Sequence, residues 1–408
     1  MSARTPAIKF IFFTVLLDVI GFGLLIPVGP RLIEQLSGLG DAAAAPIVGY
    51  LGATFAICQF IFAPIFGALS DRVGRRPVIL VSLFGSAIDY FAMALSPWLW
   101  FLFVTRALNG VSGASFSACN AYIADVTPPD KRAAGFGVIG AAFGLGFVLG
   151  PVLGGVLGSI DIRLPFYVAG ALTLCNWLYG YFVLPESLPP ENRRPFSLAK
   201  ANPIATFTHL LRYPVILGLG ASMFAMSVAM FMLHSTWVLY TKHRYHWSPV
   251  ETGLSLTLVG LGAAVVQGGL ARKLIPKLGE PRSAIIGIAV GIAAYAGYGL
   301  ATEGWMIYAI IAAASIGGIA QPALQAIITK ATPANEQGQV QGGLQGLTSM
   351  AAVIGHPLGG LSFGYFISAA APVYLPGASY FLSALMTAIG LGIAVWSLKA
   401  LRKQPLAV

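Results

Sequence analysis

The stretch GALSDRVGRRPVIL, residues 67–80, separates two long apolar runs and carries four charged residues between positions 71 and 76. Only 9% of the 408 residues are charged, so this stretch is an unusual concentration of charge. It is too short to be a domain, and the apolar runs on either side are long enough to be membrane helices. We therefore interpret it as a charged loop that joins two membrane-spanning helices.

The rest of the chain repeats this alternation of apolar runs and short polar breaks. Hydrophobic residues make up 57% of the sequence, and its mean hydropathy is +0.80. A bilayer core about 30 Å thick requires about 20 apolar residues per helix. The breaks predict twelve spans, at 8–29, 47–69, 78–96, 99–124, 134–158, 164–184, 213–240, 251–271, 283–301, 305–329, 338–367 and 377–398. We expect an all-α membrane protein.

The largest break, LPESLPPENRRPFSLAKANP at 184–203, is rich in proline and charge and divides the spans six and six. It predicts an N-terminal six-helix half (1–184), a cytoplasmic linker (185–212) and a C-terminal six-helix half (213–408). An internal repeat at an offset of 205 supports two equivalent halves, because residues 126–155 align with residues 331–360. Parallel repeats around a central axis are typical of transporters, whose substrate site lies between them.

The cations predict the orientation of the chain. Alternate loops, counted from the N-terminus, hold 19 of the 24 Lys and Arg residues. Because positive residues stay on the cytoplasmic side, we expect both termini and the linker to be cytoplasmic. The formal charge of +10 is then a topology signal, and no nucleic-acid partner is expected.

Three charged residues fall inside predicted spans: Asp18, Asp89 and Arg106. A charge at the bilayer centre costs about 2.5–3.5 kcal/mol on insertion scales, so such residues usually have a partner or a function. A proton-coupled carrier needs a carboxylate that binds a proton from one side and releases it to the other. We expect Asp18 or Asp89 to bind the coupling proton and Arg106 to modulate it.

Polar residues on single helical faces predict the lining of the central site. Arg106, Asn109, Gly113, Ser117 and Asn120 share one face of the fourth span, although helix packing explains the two asparagines equally well. In the second half, amides and methionines suit an amphipathic substrate, and glutamine ladders are also ordinary packing elements. His356, before Pro357, is expected to be a packed residue. The predicted substrate-binding set is Gln59, Asn109, Gly113, Ser117, Asn120, Met230, His234, Gln321, Gln325, Gln341 and Gln345.

The opening stretch resembles the signature between helices 2 and 3 of the major facilitator superfamily, where it acts as a cytoplasmic latch between the two halves. Gly67 and Gly74 are expected to permit close approach or unusual dihedrals, and Asp125 is expected to pair with one of the arginines. The predicted gate is Gly67, Asp71, Arg72, Gly74, Arg75, Arg76, Asp125 and Arg132.

Other stretches resemble drug:proton antiporters of that superfamily, most closely the tetracycline-efflux family. They are DVIGFGLLIPVGP (18–30), TRALNGVSGASFSACNAYIADVTPPDKRA (105–133), GFVLGPVLGG (146–155) and GGIAQPALQAIITKATPANEQGQVQG (317–342). The resemblance assigns Gly146, Gly150, Pro151, Gly154 and Gly155 to the antiporter motif. It also implies the superfamily's fold of two pseudo-symmetric halves.

The chain departs from tetracycline exporters at two positions. The ninth-helix acid of that family is replaced at Gly291, and its eighth-helix histidine is replaced around Ala263. These differences weaken tetracycline–metal chelate as the substrate and leave coupling by the N-terminal acids possible.

These features favour a proton-driven antiporter that exports small amphipathic compounds across the bacterial inner membrane. The alternatives are a proton-coupled or facilitative metabolite transporter and a membrane receptor or scaffold. Motifs for metalloprotease, serine hydrolase or phosphate-loop chemistry do not occur, so no enzyme activity is expected. We expect no cofactor other than the proton, no metal site, a monomer, and the lipid bilayer as surroundings.

Overall fold

The computed structural model describes residues 4–113, 115–127, 132–193, 210, 212–333 and 336–403. Within these ranges the regular structure is helical and no strand occurs, which confirms the all-α prediction. The first half forms α1 (Arg4–Leu25), α2 (Gly29–Ser37), α3 (Asp41–Val73), α4 (Arg75–Leu95), α5 (Leu99–Ser112), α6 (Ser115–Val126), α7 (Arg132–Ile160) and α8 (Leu164–Val183). The second forms α9 (Pro214–Tyr245), α10 (Pro249–Val265), α11 (Ala271–Leu278), α12 (Glu280–Leu300), α13 (Gly304–Ala314), α14 (Ala320–Ala331), α15 (Gln337–Phe366) and α16 (Ala378–Lys403).

Nine helical segments among the described residues are long and apolar enough to cross a bilayer, and the bent pair α1–α2 makes a tenth. The two remaining predicted spans correspond to α5–α6 and α15. Arg106 lies within the first of these, and the first half of α15 carries four glutamines. Helices α5 and α6 have 14 and 12 residues, so each is shorter than a bilayer crossing, whereas the glutamines lower the apolar content of α15. Each segment is helical as predicted.

The first predicted span, 8–29, ends earlier than the sequence indicates. Helix α1 ends at Leu25, and α2 continues at an angle of 41° after a turn at residues 26–28. Pro27 lies in this turn and has no N–H to continue the helical hydrogen bonds. The hydropathy of the segment does not change there, so the span predicted from hydropathy includes the bend.

The chain forms two compact units, each built around its own apolar core. One unit contains residues 1–38, 54–202 and 248–260, and the other contains residues 39–53, 203–247 and 261–408. Large buried side chains of the first core include Phe10, Leu83 and Tyr122. The second core is centred on Leu219, Ile288 and Leu324.

Each unit also includes a short segment from the other six-helix half of the sequence. Gly155 of α7 packs on the backbone of Pro249 at the start of α10, and Gly360 of α15 packs on Ala45 near the start of α3. A side chain at either glycine would overlap that backbone. The two contacts are related by the offset of 205, because Gly155 aligns with Gly360 and Val250, beside Pro249, aligns with Ala45.

Candidate functional site

The centre of the first unit contains a buried ion pair. Asp89 of α4 is 1% exposed at its side chain, and its Oδ2 lies 3.1 Å from Nη2 of Arg106 on α5. Asn109 Nδ2 donates to the same oxygen at 2.8 Å, because Arg106 and Asn109 are three residues apart and share one face of α5. The Arg106 Nη2 also lies 2.7 Å from the sulfur of Met93.

The ion pair leaves polar atoms without a partner. Within the described part of the chain, Oδ1 of Asp89 and Nε of Arg106 are buried and make no hydrogen bond. The two carboxylate oxygens are therefore inequivalent, since Oδ2 accepts two hydrogen bonds and Oδ1 accepts none. An added proton fits Oδ1 without displacing either donor from Oδ2.

Asp18 is the other predicted coupling acid of this unit. It is half-buried on α1, within electrostatic range of Tyr90 on α4 and Cys119 on α6. The fold thus brings both predicted coupling acids into the first unit and gives the arginine to Asp89.

The opening stretch forms the α3–α4 corner, where the predicted gate residues meet. Arg75 Nη1 lies 2.6 Å from Oδ1 of Asp71, and Arg75 Nε lies 3.2 Å from Oδ2 of Asp125 at the end of α6. The hydroxyl of Ser70 accepts a further hydrogen bond of 2.6 Å from Arg75. Gly74 has a φ of 112°, a conformation that side chains disfavour.

Glu186 is the residue of this corner that sequence reasoning missed. Its carboxylate accepts hydrogen bonds from the backbone N–H of Arg75 at 2.8 Å and Arg76 at 3.3 Å, and so caps the start of α4. A Cβ at Gly74 would overlap this carboxylate. Ser187 adds a hydrogen bond of 3.1 Å to Asp125. Glu186 lies 111 residues from Arg75, in a proline-rich break without a motif, so no local spacing indicated its role.

The other predicted gate residues have different positions. Arg76 Nη2 donates to the carbonyl of Tyr181 at 2.7 Å. Arg72 is exposed and makes no ion pair with the residues that the structure describes. The expected close approach is not found at Gly67, because no atom of the described residues lies within 4 Å of the place where its Cβ would be. The side chain of Arg132 lies outside the described residues.

The second unit repeats the corner with the charges reversed. At the offset of 205, Arg75 aligns with Glu280 and Asp125 aligns with Lys330. Glu280 and Lys330 form an ion pair between the start of α12 and the end of α14. Gly279 before α12 also has a positive φ, of 79°. Pro276 aligns with Asp71 here, and the acid of the pair instead takes the position of the arginine.

The glycines of the antiporter motif allow α7 to approach its neighbours. A Cβ at Gly150 would lie 2.8 Å from Cα of Gly23, so α7 and α1 touch backbone to backbone. Pro151 lies inside α7, and its carbonyl faces Gly253 of α10. The motif residues whose added Cβ atoms would meet α1 are Gly146, Gly150 and Gly154.

The predicted substrate residues of the first half divide into three groups. The amide of Asn109 is bound to Asp89 rather than left open. Gln59 of α3 lies against Gly113, since a Cβ at Gly113 would lie 3.3 Å from its Nε2. The side chains of Ser117 and Asn120 lie outside the described residues.

In the second half, Gln325 of α14 donates a hydrogen bond to Gln341 of α15. These two amides therefore connect neighbouring helices, as the packing alternative predicts. The remaining members of the predicted set have exposed side chains: Met230, His234, Gln321 and Gln345.

A second charge cluster, within the other unit, was not predicted. Asp41, at the start of α3, accepts from Lys242 Nζ at 2.9 Å and lies 2.8 Å from His243 Nδ1, both near the end of α9. The other nitrogen of His243 lies 2.8 Å from the hydroxyl of Tyr374. We call Asp41, Lys242, His243 and Tyr374 the outer cluster. A cavity of about 300 Å³ adjoins it and is lined by Gly40, Asp41, Ala42, Ala43, His243 and Ile367.

Two further observations bear on the predicted roles. Ser248 and Glu251 exchange hydrogen bonds at the start of α10 and form a capping box, so Glu251 has a structural role. In the part of the chain that the structure describes, no group of three His, Cys, Asp or Glu side chains is placed to hold a metal ion.

Comparison with known proteins agrees with this geometry. The profile of the Major Facilitator Superfamily matches residues 11–342. The class C tetracycline resistance protein of Escherichia coli is 37% identical over 342 residues, which cover 84% of this chain and 86% of the relative.

Solved structures give the same fold. The human organic anion transporter MFSD10 has a TM-score of 0.72 at 25% identity, covering 97% of this chain and 100% of that one. A bacterial homolog of the human lysosomal transporter Spinster has a TM-score of 0.76 at 18% identity, covering 99% of each chain. The family and these structural neighbours are transporters rather than enzymes. The chain is a multi-pass membrane protein that belongs to the Major Facilitator Superfamily.

Proposed function

We propose that this transporter is a proton-coupled antiporter that exports small amphipathic compounds by alternating access. The buried Asp89–Arg106 pair carries the proposal. It is a carboxylate enclosed among membrane helices, with one oxygen bound by Arg106 and Asn109 and the other open to a proton. The tetracycline resistance proteins that resemble the chain support an export function.

Proton binding and substrate binding are expected to favour different states of the transporter. Protonation at Oδ1 removes the charge of Asp89 and weakens its attraction to Arg106, while the hydrogen bonds to Oδ2 remain. Asp18 is the second acid available for this exchange. Inward proton movement supplies about 2.3 kcal/mol per 100 mV of membrane potential.

The proposal also covers the location of the protein in the cell membrane and its orientation, which follows from the distribution of Lys and Arg. The protein then lies in the bacterial inner membrane with both termini in the cytoplasm. The α3–α4 corner, with Asp71, Arg75 and Asp125, is then a cytoplasmic gate. A monomer suffices, and the proton is the coupling ion.

The test is proton movement in liposomes that contain the purified protein under an imposed pH gradient. Tetracyclines and lipophilic cations are added in turn, and a pH dye reports proton release. A response lost in Asp89→Asn or Asp18→Asn supports the antiporter. Asp161→Asn is the matched control, because it removes a carboxylate from the α7–α8 loop, outside the spans.

A transporter of a metabolite or other organic anion is the second candidate. The structural neighbour MFSD10 is named an organic anion transporter, and the ninth-helix position at Gly291 has no acid. Exchange of labelled organic acids without proton movement would favour this candidate over the antiporter. Absence of exchange for every compound would favour a receptor or scaffold.

A further inference from the structure

Two histidines of the second unit contact one phenylalanine inside the membrane-spanning region. The ring of Phe231 on α9 lies 5.1 Å from the ring of His356 on α15 and 5.8 Å from that of His234. Gly52 of α3 confines His356 from another direction, since a Cβ there would lie 2.7 Å from its Cγ. The fold therefore holds the His356 ring between a helix backbone and an aromatic ring.

Neither imidazole has a hydrogen-bond partner among the described residues. His234 is exposed and His356 is half-buried, so their ring nitrogens are not enclosed in the core. Polar groups at membrane depth are costly unless they are bonded, and they usually face a cavity or a pathway. Simple packing, expected for His356 from the sequence, explains its ring contacts but not its unpartnered nitrogens.

The charge around the two imidazoles determines what they can bind. Residues 213–408 contain no aspartate, and their four glutamates lie at helix ends: Glu251, Glu280, Glu303 and Glu336. Asp41 on α3 already binds Lys242 and His243. The titratable group that faces His356 is His234. No carboxylate of the described residues acts on either imidazole. The negative charge that would pair with a protonated ring must therefore come from a bound anion.

We propose that His234 and His356 bind the anionic group of an amphipathic organic acid, with Phe231 and Met230 against its apolar part. The proposal rests on the proposed transport function and names a substrate class for it. A carboxylate or phenolate accepts a hydrogen bond from each imidazole, and these bonds strengthen when a ring is protonated. A metal ion fits less well, because no third ligand is placed beside the pair in the described chain.

The experiment measures binding of 2-naphthoate to the purified full-length protein by calorimetry. The neutral 2-naphthalenemethanol has the same ring system and tests the charge. We expect naphthoate to bind about a hundredfold more tightly than the alcohol, because two charge-assisted hydrogen bonds contribute about tenfold each. His234→Gln and His356→Gln should each reduce this preference about tenfold, and the double variant should abolish it.

The control is His246→Asn, which removes an exposed histidine elsewhere. Asparagine tolerates the positive φ of 56° at this position. This variant should bind naphthoate as the unmodified protein does. Thermal midpoints of all variants show whether each still folds.

Three results would overturn the assignment. They are no binding of naphthoate, equal binding of acid and alcohol, and a preference for the acid that survives the double substitution. Zinc binding that is lost with either histidine, without any preference for the acid, would assign the pair to a metal instead. Binding of naphthoate should also take up protons from the buffer, because a carboxylate beside the two imidazoles favours their protonated forms.

Asp89→Asn separates this inference from the proposed function. If Asp89 carries the proton, this variant loses coupled transport but retains the naphthoate preference. Proton-coupled drug transport without the histidine-dependent preference would leave the antiporter standing and overturn the subsite. The reverse result would retain the subsite and overturn the antiporter.

Discussion

At the scale of single residues, the inequivalent oxygens of Asp89 separate two tasks within one carboxylate. Oδ2 holds Arg106 and Asn109 in place, while Oδ1 has no partner among the described atoms. A proton can therefore arrive without dismantling the hydrogen bonds of the site. The arrangement keeps α4 and α5 together while the charge between them changes.

Removing only the arginine should destabilise the protein more than neutralising both members of the pair. Arg106→Gln leaves the Asp89 carboxylate buried without its cation, and breaking a buried pair in this way costs up to about 3–5 kcal/mol. Asp89→Asn/Arg106→Gln leaves two neutral amides and should recover most of that loss. The thermal midpoint in detergent measures the order of the three proteins.

If Asp89 carries the coupling proton, the double variant should also lack drug-induced proton movement, because this carboxyl group is gone. Recovery of both stability and proton coupling would contradict the role of Asp89. If the double variant is no more stable than Arg106→Gln, the loss of stability in Arg106→Gln does not come from an unpaired Asp89 carboxylate.

The residues of this site differ in how visible they are in the sequence. Asp89 and Arg106 are charged residues inside apolar spans, so hydropathy alone singles them out. Their pairing, and the preference of Arg106 for Asp89 over Asp18, depends on how the helices pack and has no local signal. Glu186 and the outer cluster of Asp41, Lys242, His243 and Tyr374 lie in ordinary polar breaks, and contacts over more than 100 residues place them.

At the scale of helices, the glycines of α7 set how closely it approaches α1. Gly146, Gly150 and Gly154 are four residues apart, so they lie along one face of the helix. Small residues at this spacing allow membrane helices to pack backbone to backbone. The sequence predicts this contact through its motif, whereas the bend after α1 follows from Pro27 and has no signal in the hydropathy of that segment.

Gly150→Ala should therefore destabilise the protein, because the new Cβ would lie 2.8 Å from Cα of Gly23, and backbone cannot move aside as a side chain does. Overpacking of this kind costs about 1–3 kcal/mol. Gly144→Ala is the matched control on the same helix, since no atom lies within 4 Å of its added Cβ. The thermal midpoint in detergent should fall for Gly150→Ala and stay unchanged or rise for Gly144→Ala. Equal effects of the two changes would refute the close packing of α7 on α1.

At the scale of the whole molecule, the internal repeat is preserved in backbone geometry more strictly than in charge. Gly74 and Gly279 both have positive φ, and each precedes a helix whose first residue forms an ion pair. The pair is Arg75 with Asp125 in one repeat and Glu280 with Lys330 in the other. Both repeats thus pair opposite charges at these two positions, and the acid and the base exchange places between the repeats.

The outer cluster gives a prediction about the proposed transport cycle, in which alternating access opens and closes its contacts. Asp41 joins α3 to α9 through Lys242 and His243, and the adjoining cavity is lined by Ala43. Asp41→Asn weakens both contacts and should make this region open more often. The reporter is Ala43→Cys in a chain whose Cys58, Cys119 and Cys175 are serine, labelled with a membrane-impermeant thiol reagent.

The labelling rate should rise about two- to fivefold with Asp41→Asn, because half-exposed ion pairs contribute about 0.2–1 kcal/mol. Glu303→Gln is the control, since it removes a carboxylate before α13, on the side predicted to be non-cytoplasmic, and leaves the cluster intact. His243→Gln should give a smaller rise, because the amide can still donate to Asp41. An unchanged rate in Asp41→Asn, with Ala43→Cys reactive in both proteins, would mean that the cluster is a static helix contact. The opening of α3 from α9 would then be controlled by the glycine contacts of α3 with α15, and not by charge.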